Sequence, residues 1–248
     1  MTDYKPAKTK KTQPKTESEV QGRDAMYTPN YGVDVIGKFI PTDKVWEMCA
    51  GDGRFARRLE TRWNKEVYKT EINGNFEYWN FIEGRNTKVA GEKYSIVTNP
   101  PFSLKEEMFR KCLEYGLPFA LLIPLDYSSW LIEAIEKYNC EKLIPKRRIS
   151  YLTPNVLYRV HAGEVWNIVK GNFTQKKYSE VSGDLWKEIL FEYKDTHNYK
   201  RIDDVPNNLL AKYSSADFHS GYLTWGFGFG KSETFVDLPI SEMKNNIV

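Results

Sequence analysis

At 248 residues, with 41% hydrophobic and 15% aromatic side chains, the chain is long enough for one large domain with an elaboration and too apolar for global disorder. No apolar run approaches the roughly 18–20 residues of a membrane span, the start lacks a secretory stretch, and Cys49, Cys112 and Cys140 form no CxxC pair, so a cytoplasmic protein without disulfides, zinc or membrane contact is expected. Of the 36 basic and 33 acidic residues, six and four lie in the first 24, which leaves 30 against 29, so any basic binding face must be local.

Residues 1–24 are rich in Lys, Thr and Pro and read as a disordered tail. From Tyr27 the pattern alternates. Val33–Phe39 reads as a short helix, Lys44–Met48 as a strand, and Arg54–Trp63 as a helix with Phe55, Leu59 and Trp63 at helical spacing. Glu66–Ile72 and Tyr94–Thr98 read as strands. Ser103 with Glu106 three residues on is a capping-box signature for a helix ending near Gly116. Phe119–Leu125 is an apolar strand and Ser129–Tyr138 a helix. Strands alternating with helices imply an α/β fold with a mostly parallel sheet. Beyond Leu143 the rhythm weakens: Lys146–Leu152 and Tyr222–Phe227 read as strands, around an aromatic-rich stretch of unclear period at 154–213.

Two turns carry the chemistry. Glu47-Met48-Cys49-Ala50-Gly51-Asp52-Gly53 is a strand end running into a glycine turn that opens a helix, where backbone N–H groups meet a ligand. Glu71, at the end of the next strand, stands at the distance suited to ribose hydroxyls. The third glycine of a dinucleotide motif is missing, with Ala56 in its place. Gly226-Phe227-Gly228-Phe229-Gly230 precedes no helix pattern and reads as a strand end. The second turn, Asn99-Pro100-Pro101-Phe102, lies at the C-terminal end of a buried strand, where open α/β sheets bind ligands. Its prolines remove donors and stiffen the backbone, leaving the Asn99 amide oxygen and the Pro100 carbonyl as acceptors for an amine. Phe102 can stack on a base.

On these residues the chain resembles the S-adenosylmethionine-dependent N6-adenine DNA methyltransferases of the gamma motif order, and small phage-type members in particular. Tyr27-Thr28-Pro29 with Val33-Asp34 resembles the motif that contacts the methionine end of the cofactor. Glu47, Cys49, Ala50, Gly51 and Gly53 match the cofactor loop, with Glu71 in the ribose position, and Asn99-Pro100-Pro101-Phe102 matches the catalytic motif. Asn80-Phe81 stands where the family has Asp-Phe near the cofactor's adenine, and Phe102 where Tyr is frequent; Phe there also occurs in RNA-directed members. The resemblance implies a Rossmann-like methyltransferase fold: a seven-stranded, mostly parallel sheet with an antiparallel last strand and an inserted lobe. The methyltransferase domain would comprise residues 25–153 and 214–248, with 154–213 as a candidate target-recognition lobe.

The function implied is methyl transfer from S-adenosyl-L-methionine to the exocyclic N6 amine of adenine in DNA, in a bacterial or phage-infected cell, without a metal. RNA adenine, a protein glutamine amide, and a non-catalytic nucleic-acid-binding role on the same fold are the alternatives. Phe218 is a candidate to stack on a flipped base or to serve the core. Lys142, Lys146, Arg147 and Arg148 are candidates for phosphate contact, as are Lys170, Lys176 and Lys177 in the lobe. His161, His197 and His219 share no ligand spacing, and Asp126 suits a turn.

Overall fold

The computed structural model describes Asp24 and residues 26–72, 76–81, 86–152, 156, 160, 202–214 and 218–248. Nearly all of the N-terminal tail, and most of the 154–213 stretch with Lys170, Lys176 and Lys177, lie outside the described residues.

Among the described residues eight strands form one sheet. In chain order the elements are α1 (Asn30–Gly37), β1 (Lys44–Glu47), α2 (Arg54–Trp63), β2 (Glu66–Glu71), β3 (Glu77–Tyr78) and β4 (Tyr94–Thr98). There follow α3 (Lys105–Tyr115), β5 (Phe119–Pro124), α4 (Ser129–Tyr138), β6 (Glu141–Pro145), α5 (Asn207–Tyr213), β7 (Ser220–Trp225), β8 (Glu233–Val236) and α6 (Ile240–Asn245). The sheet order is β3-β2-β1-β4-β5-β7-β6-β8. Only β7 runs against its neighbours, pairing antiparallel with β5 and β6. This is the expected Rossmann-like α/β arrangement, a mostly parallel sheet with one antiparallel strand, with one difference. The short strand β8 adds an eighth member, parallel to β6, so the antiparallel strand is the last but one in sequence.

The period-two alternation of the strands divides the core between two faces. Val45, Val97, Ala120, Leu122 and Tyr222 face α1 and α2, packing with Val33, Ile36, Phe55 and Leu59. Trp46, Ile96, Leu121, Ile123 and Leu223 face α3 and α4, packing with Met108, Phe109, Leu131 and Ala134. A shift of one residue in any strand would exchange these sets, so both faces fix the register. Asp34 is structural: it accepts two hydrogen bonds from Arg58 (2.9 and 2.6 Å) and one each from Trp63 Nε1 and Asn246 Nδ2. It thereby ties α1 to α2 and to the C-terminus.

Two expectations fail. Lys146–Leu152 is not a strand; β6 ends at Pro145, and only Leu152 re-enters backbone pairing, in a bridge to Tyr27. The antiparallel partner of β7 on this side is therefore β6, with Glu141–Leu143 facing Tyr222–Thr224. The capping box does not form. Ser103 sits in a 3-10 turn (Phe102–Leu104) and uses its N–H and hydroxyl on Asp24, while Glu106 bonds Arg110. Gly226, with φ +75°, ends β7, in agreement with the strand-end reading of the glycine run.

Candidate active site

The strand order reverses between β1 and β4, whose C-terminal ends carry the two turns. Such a reversal opens a crevice at the sheet edge. The turns touch directly, the Cys49 N–H donating to Thr98 Oγ at 3.3 Å. At the first turn Gly51 and Gly53 both have positive φ, +55° and +76°. A Cβ on Gly51 would meet nothing closer than Tyr27 Cε1 at 3.9 Å, so the loop borders open space there. A Cβ on Gly53 would collide with the Phe76 ring at 2.6 Å. Gly51 thus leaves room for a ligand, and Gly53 leaves room for the protein.

Glu71 reaches from the end of β2 to the same loop. One carboxylate oxygen accepts from Gly51 N–H at 2.6 Å and the other from Ile72 N–H at 2.7 Å. The carboxylate therefore already holds the loop's shape. Glu47 is buried at the end of β1, and its Oε2 has no partner. Burial pushes its carboxyl well above the ordinary carboxylate range, the Asp52 charge adds to this, and the Ala56 N–H opposes it. Burial likewise raises the Cys49 thiol, with Glu71 contributing, which keeps it a neutral thiol. Tyr27 lies over the loop; burial raises its phenol, and the Asp52 charge adds to the shift.

The second turn is held by a strap from the N-terminal side. Asp24 accepts from Ser103, the Met26 carbonyl accepts from Asn99 Nδ2 at 2.7 Å, and Tyr27 pairs with Leu152 on both backbone groups. The Met26 bond orients the Asn99 amide, and its buried Oδ1 is left without a partner. Pro101 spends its carbonyl on Leu104 N–H at 3.0 Å. Among the described residues no backbone hydrogen bond ends on the Pro100 carbonyl. Two acceptors of the turn are thus unengaged. Thr28 Oγ is a third buried oxygen in this neighbourhood without a partner. Pro29 is the N-cap of α1 and holds Thr28 at the helix entry.

Phe102 is half-buried and meets Tyr151 and Phe218 edge-on, with centroid distances of 5.7 and 5.4 Å. Phe218 therefore braces the Phe102 ring. Asn80 lies just past β3, and Phe81 is buried with Trp46 and Met48 beneath β1. Arg147 and Arg148 are exposed on the run after β6 and form no hydrogen bond to either turn. Their neighbours are neutralised, Lys142 by Glu233 and Lys146 by Asp237. Asp126 sits in a turn, accepting from Ser128 and Lys105, as its position suggested. Met26, Tyr151 and Phe76 were not legible as site residues, because each acts through a long-range contact that no local motif encodes.

Among the described residues no group of three or more His, Cys, Asp or Glu side chains could hold a metal, and no helix is long and apolar enough to cross a membrane. No family model and no curated protein matches the chain. Among solved structures it is similar to the 23S rRNA methyltransferase ErmE, at 17% identity and a TM-score of 0.35, over 67% of this chain and 96% of that one.

Proposed function

We propose that the chain transfers a methyl group from S-adenosyl-L-methionine to the N6 amine of adenine in DNA. The observation that carries this reading is the Asn99 amide, oriented by Met26 and presenting a buried, unengaged oxygen beside Pro100 and Phe102. Leaving such an acceptor unpaired costs about 1–3 kcal/mol, a cost that is recovered when a ligand or a water completes the bond.

The residues present fit the cofactor. Gly51 leaves space beside the loop, Glu71 offers a carboxylate for the ribose, and Thr28 and Glu47 hold unpaired oxygens for its polar groups. When bound, the cofactor supplies an electrophilic methyl group on a sulfonium. Asn99 Oδ1 and the Pro100 carbonyl accept the two hydrogens of the adenine amine, which withdraws its lone pair from ring conjugation and aims it at the methyl carbon. Phe102 holds the base by its face, and Phe218 and Tyr151 hold Phe102. These fixed acceptors act by positioning and by stabilising the positive charge that develops on nitrogen; the new N–C bond would replace the methyl–sulfur bond, leaving a neutral thioether, and the nitrogen would give up one of its protons to solvent. In duplex DNA the base must leave the stack, at a cost of a few kcal/mol.

The test is incubation with methyl-labelled cofactor and separate pools of DNA, RNA and protein, followed by nucleoside and amino-acid analysis. Label in N6-methyl-2′-deoxyadenosine supports the reading. Label in the ribonucleoside moves the target to RNA, label in glutamine moves it to protein, and cofactor binding without transfer to any pool overturns the catalytic reading.

A further inference from the structure

Beside the aromatic group of the proposed site lies a cavity of about 800 Å³, between α5, α6 and the run that follows β6. Among the described residues its lining includes four cationic side chains, Arg147, Arg148, Lys212 and Lys244, and no carboxylate. Composition does not account for this, because the chain beyond residue 24 is close to neutral. Nor is it a general feature of the local surface, since Lys142 and Lys146 next to it are each paired with an acid. Among the described residues, Arg147, Arg148 and Lys244 have neither an ion pair nor a side-chain hydrogen bond. The closest acid on α1, Asp34, is fully engaged by Arg58, Trp63 and Asn246.

The cavity has a firm frame. Tyr31 Oη accepts from Ser150 N–H at 2.8 Å, which pins the arginine-bearing run to α1. The backbone N–H of Tyr31 donates to the Asn246 carbonyl at 3.0 Å, which holds the end of α6. Apolar Ile240 and Met243 line the space between the charges. The cavity also adjoins the catalytic turn: Ser150 lines it, and the next residue, Tyr151, packs on Phe102.

We propose that this cleft binds the phosphodiester backbone of the polynucleotide next to the target base, with Arg147, Arg148 and Lys244 as its phosphate ligands. The inference rests on the reading of the chain as a nucleic-acid methyltransferase. Paired guanidiniums suit phosphate oxygens through forked donation, and the apolar floor suits sugar and base faces. Contacts of this kind set register and affinity and carry no sequence information. Each neutralised phosphate also releases counterions, so the salt dependence of binding counts the contacts.

The experiment measures binding of labelled adenine-containing oligonucleotides, as single-stranded DNA, duplex DNA and RNA of one sequence, by fluorescence anisotropy over a range of salt. The full chain is compared with Arg147→Ala/Arg148→Ala, Lys244→Ala, Arg147→Lys/Arg148→Lys and the control Lys146→Ala. Each lost phosphate contact should lower the slope of log affinity against log salt by about 0.7–0.9. The double alanine variant should therefore lose about 1.5 in slope, the double lysine variant should retain most of it, and the control should match wild type. KM for the polymer should rise while kcat at saturation and cofactor affinity stay unchanged. Unchanged slopes in folded alanine variants, or an equal loss in the control, overturn the cleft even if methylation is found. Slopes that fall as described, in a protein that never methylates a base, support the cleft and overturn the catalytic reading instead. The arm bound most tightly by the wild type at one salt concentration identifies the polymer.

Discussion

Asn99 Nδ2 donates to the Met26 carbonyl at 2.7 Å, and this one bond decides which way the Asn99 amide faces. With the nitrogen committed, the oxygen is the atom presented to the site. Asn99→Ala should therefore cut turnover at least about a hundredfold, the scale for one preorganised polar contact in a transition state. Cofactor affinity, measured by calorimetry, should stay within a few-fold. Asn99→Asp places a carboxylate against the Met26 carbonyl, and should lower unfolding stability by about 1–3 kcal/mol as well as activity. An Asn99→Ala enzyme with full turnover would remove Asn99 from the mechanism.

The two loop glycines should respond differently to alanine. At Gly51 the side chain meets open space, so the cost in stability is the backbone strain of a positive φ, about 1–2 kcal/mol, and the larger effect is on cofactor binding. At Gly53 the same strain is joined by the collision with Phe76, so the protein itself should be less stable than Gly51→Ala. Phe76→Ala in the Gly53→Ala background should recover part of that loss. Thermal melts without cofactor measure both, and equal melting temperatures for the two single variants would contradict the assignment.

Glu71 has a structural task besides its proposed binding one, since it accepts from both Gly51 and Ile72 N–H. Glu71→Ala should weaken cofactor binding by about 1–3 kcal/mol, the range for a hydrogen bond to a charged group. It should also lower the melting temperature of the cofactor-free protein, which a residue serving only the ribose would not do.

Glu47 links stability to pH. Its carboxyl titrates near an ordinary value of about 4.3 in the unfolded chain, and burial raises it well above that in the folded one. The folded state therefore favours the proton. The contribution is fully present below the unfolded value and is lost as pH rises through the folded value. Glu47→Gln keeps the shape without the ionisable proton, so it should raise the urea midpoint at neutral pH and flatten this part of the pH dependence. A variant whose midpoint falls in parallel with wild type across that range would show that Glu47 is not the group responsible.

Arg54–Trp63, Tyr94–Thr98 and Ser129–Tyr138 take the bounds their sequence patterns imply, because each is a long or fully buried element whose periodicity is unbroken. The segments that escaped depend on distant partners. Strand β8, Glu-Thr-Phe-Val, is short, polar and half-exposed, and exists because β6 offers it an edge. Ser103 reads as a helix cap until Asp24, 79 residues away, takes both its donors. The two turns were legible because proline and glycine act locally on the backbone. The strap from Asp24 to Tyr27 and the brace from Phe218 and Tyr151 to Phe102 were not, since they arise only when the sheet brings separate segments together.

The central claim is tested most directly by mass-spectrometric quantification of N6-methyl-2′-deoxyadenosine in DNA from cells lacking adenine methylation that express either the wild-type chain or Asn99→Ala. The modified nucleoside is expected with the wild type, and its loss with a variant that still folds and binds S-adenosyl-L-methionine. Its absence with a folded, cofactor-binding wild type, or equal amounts from both proteins, would contradict it.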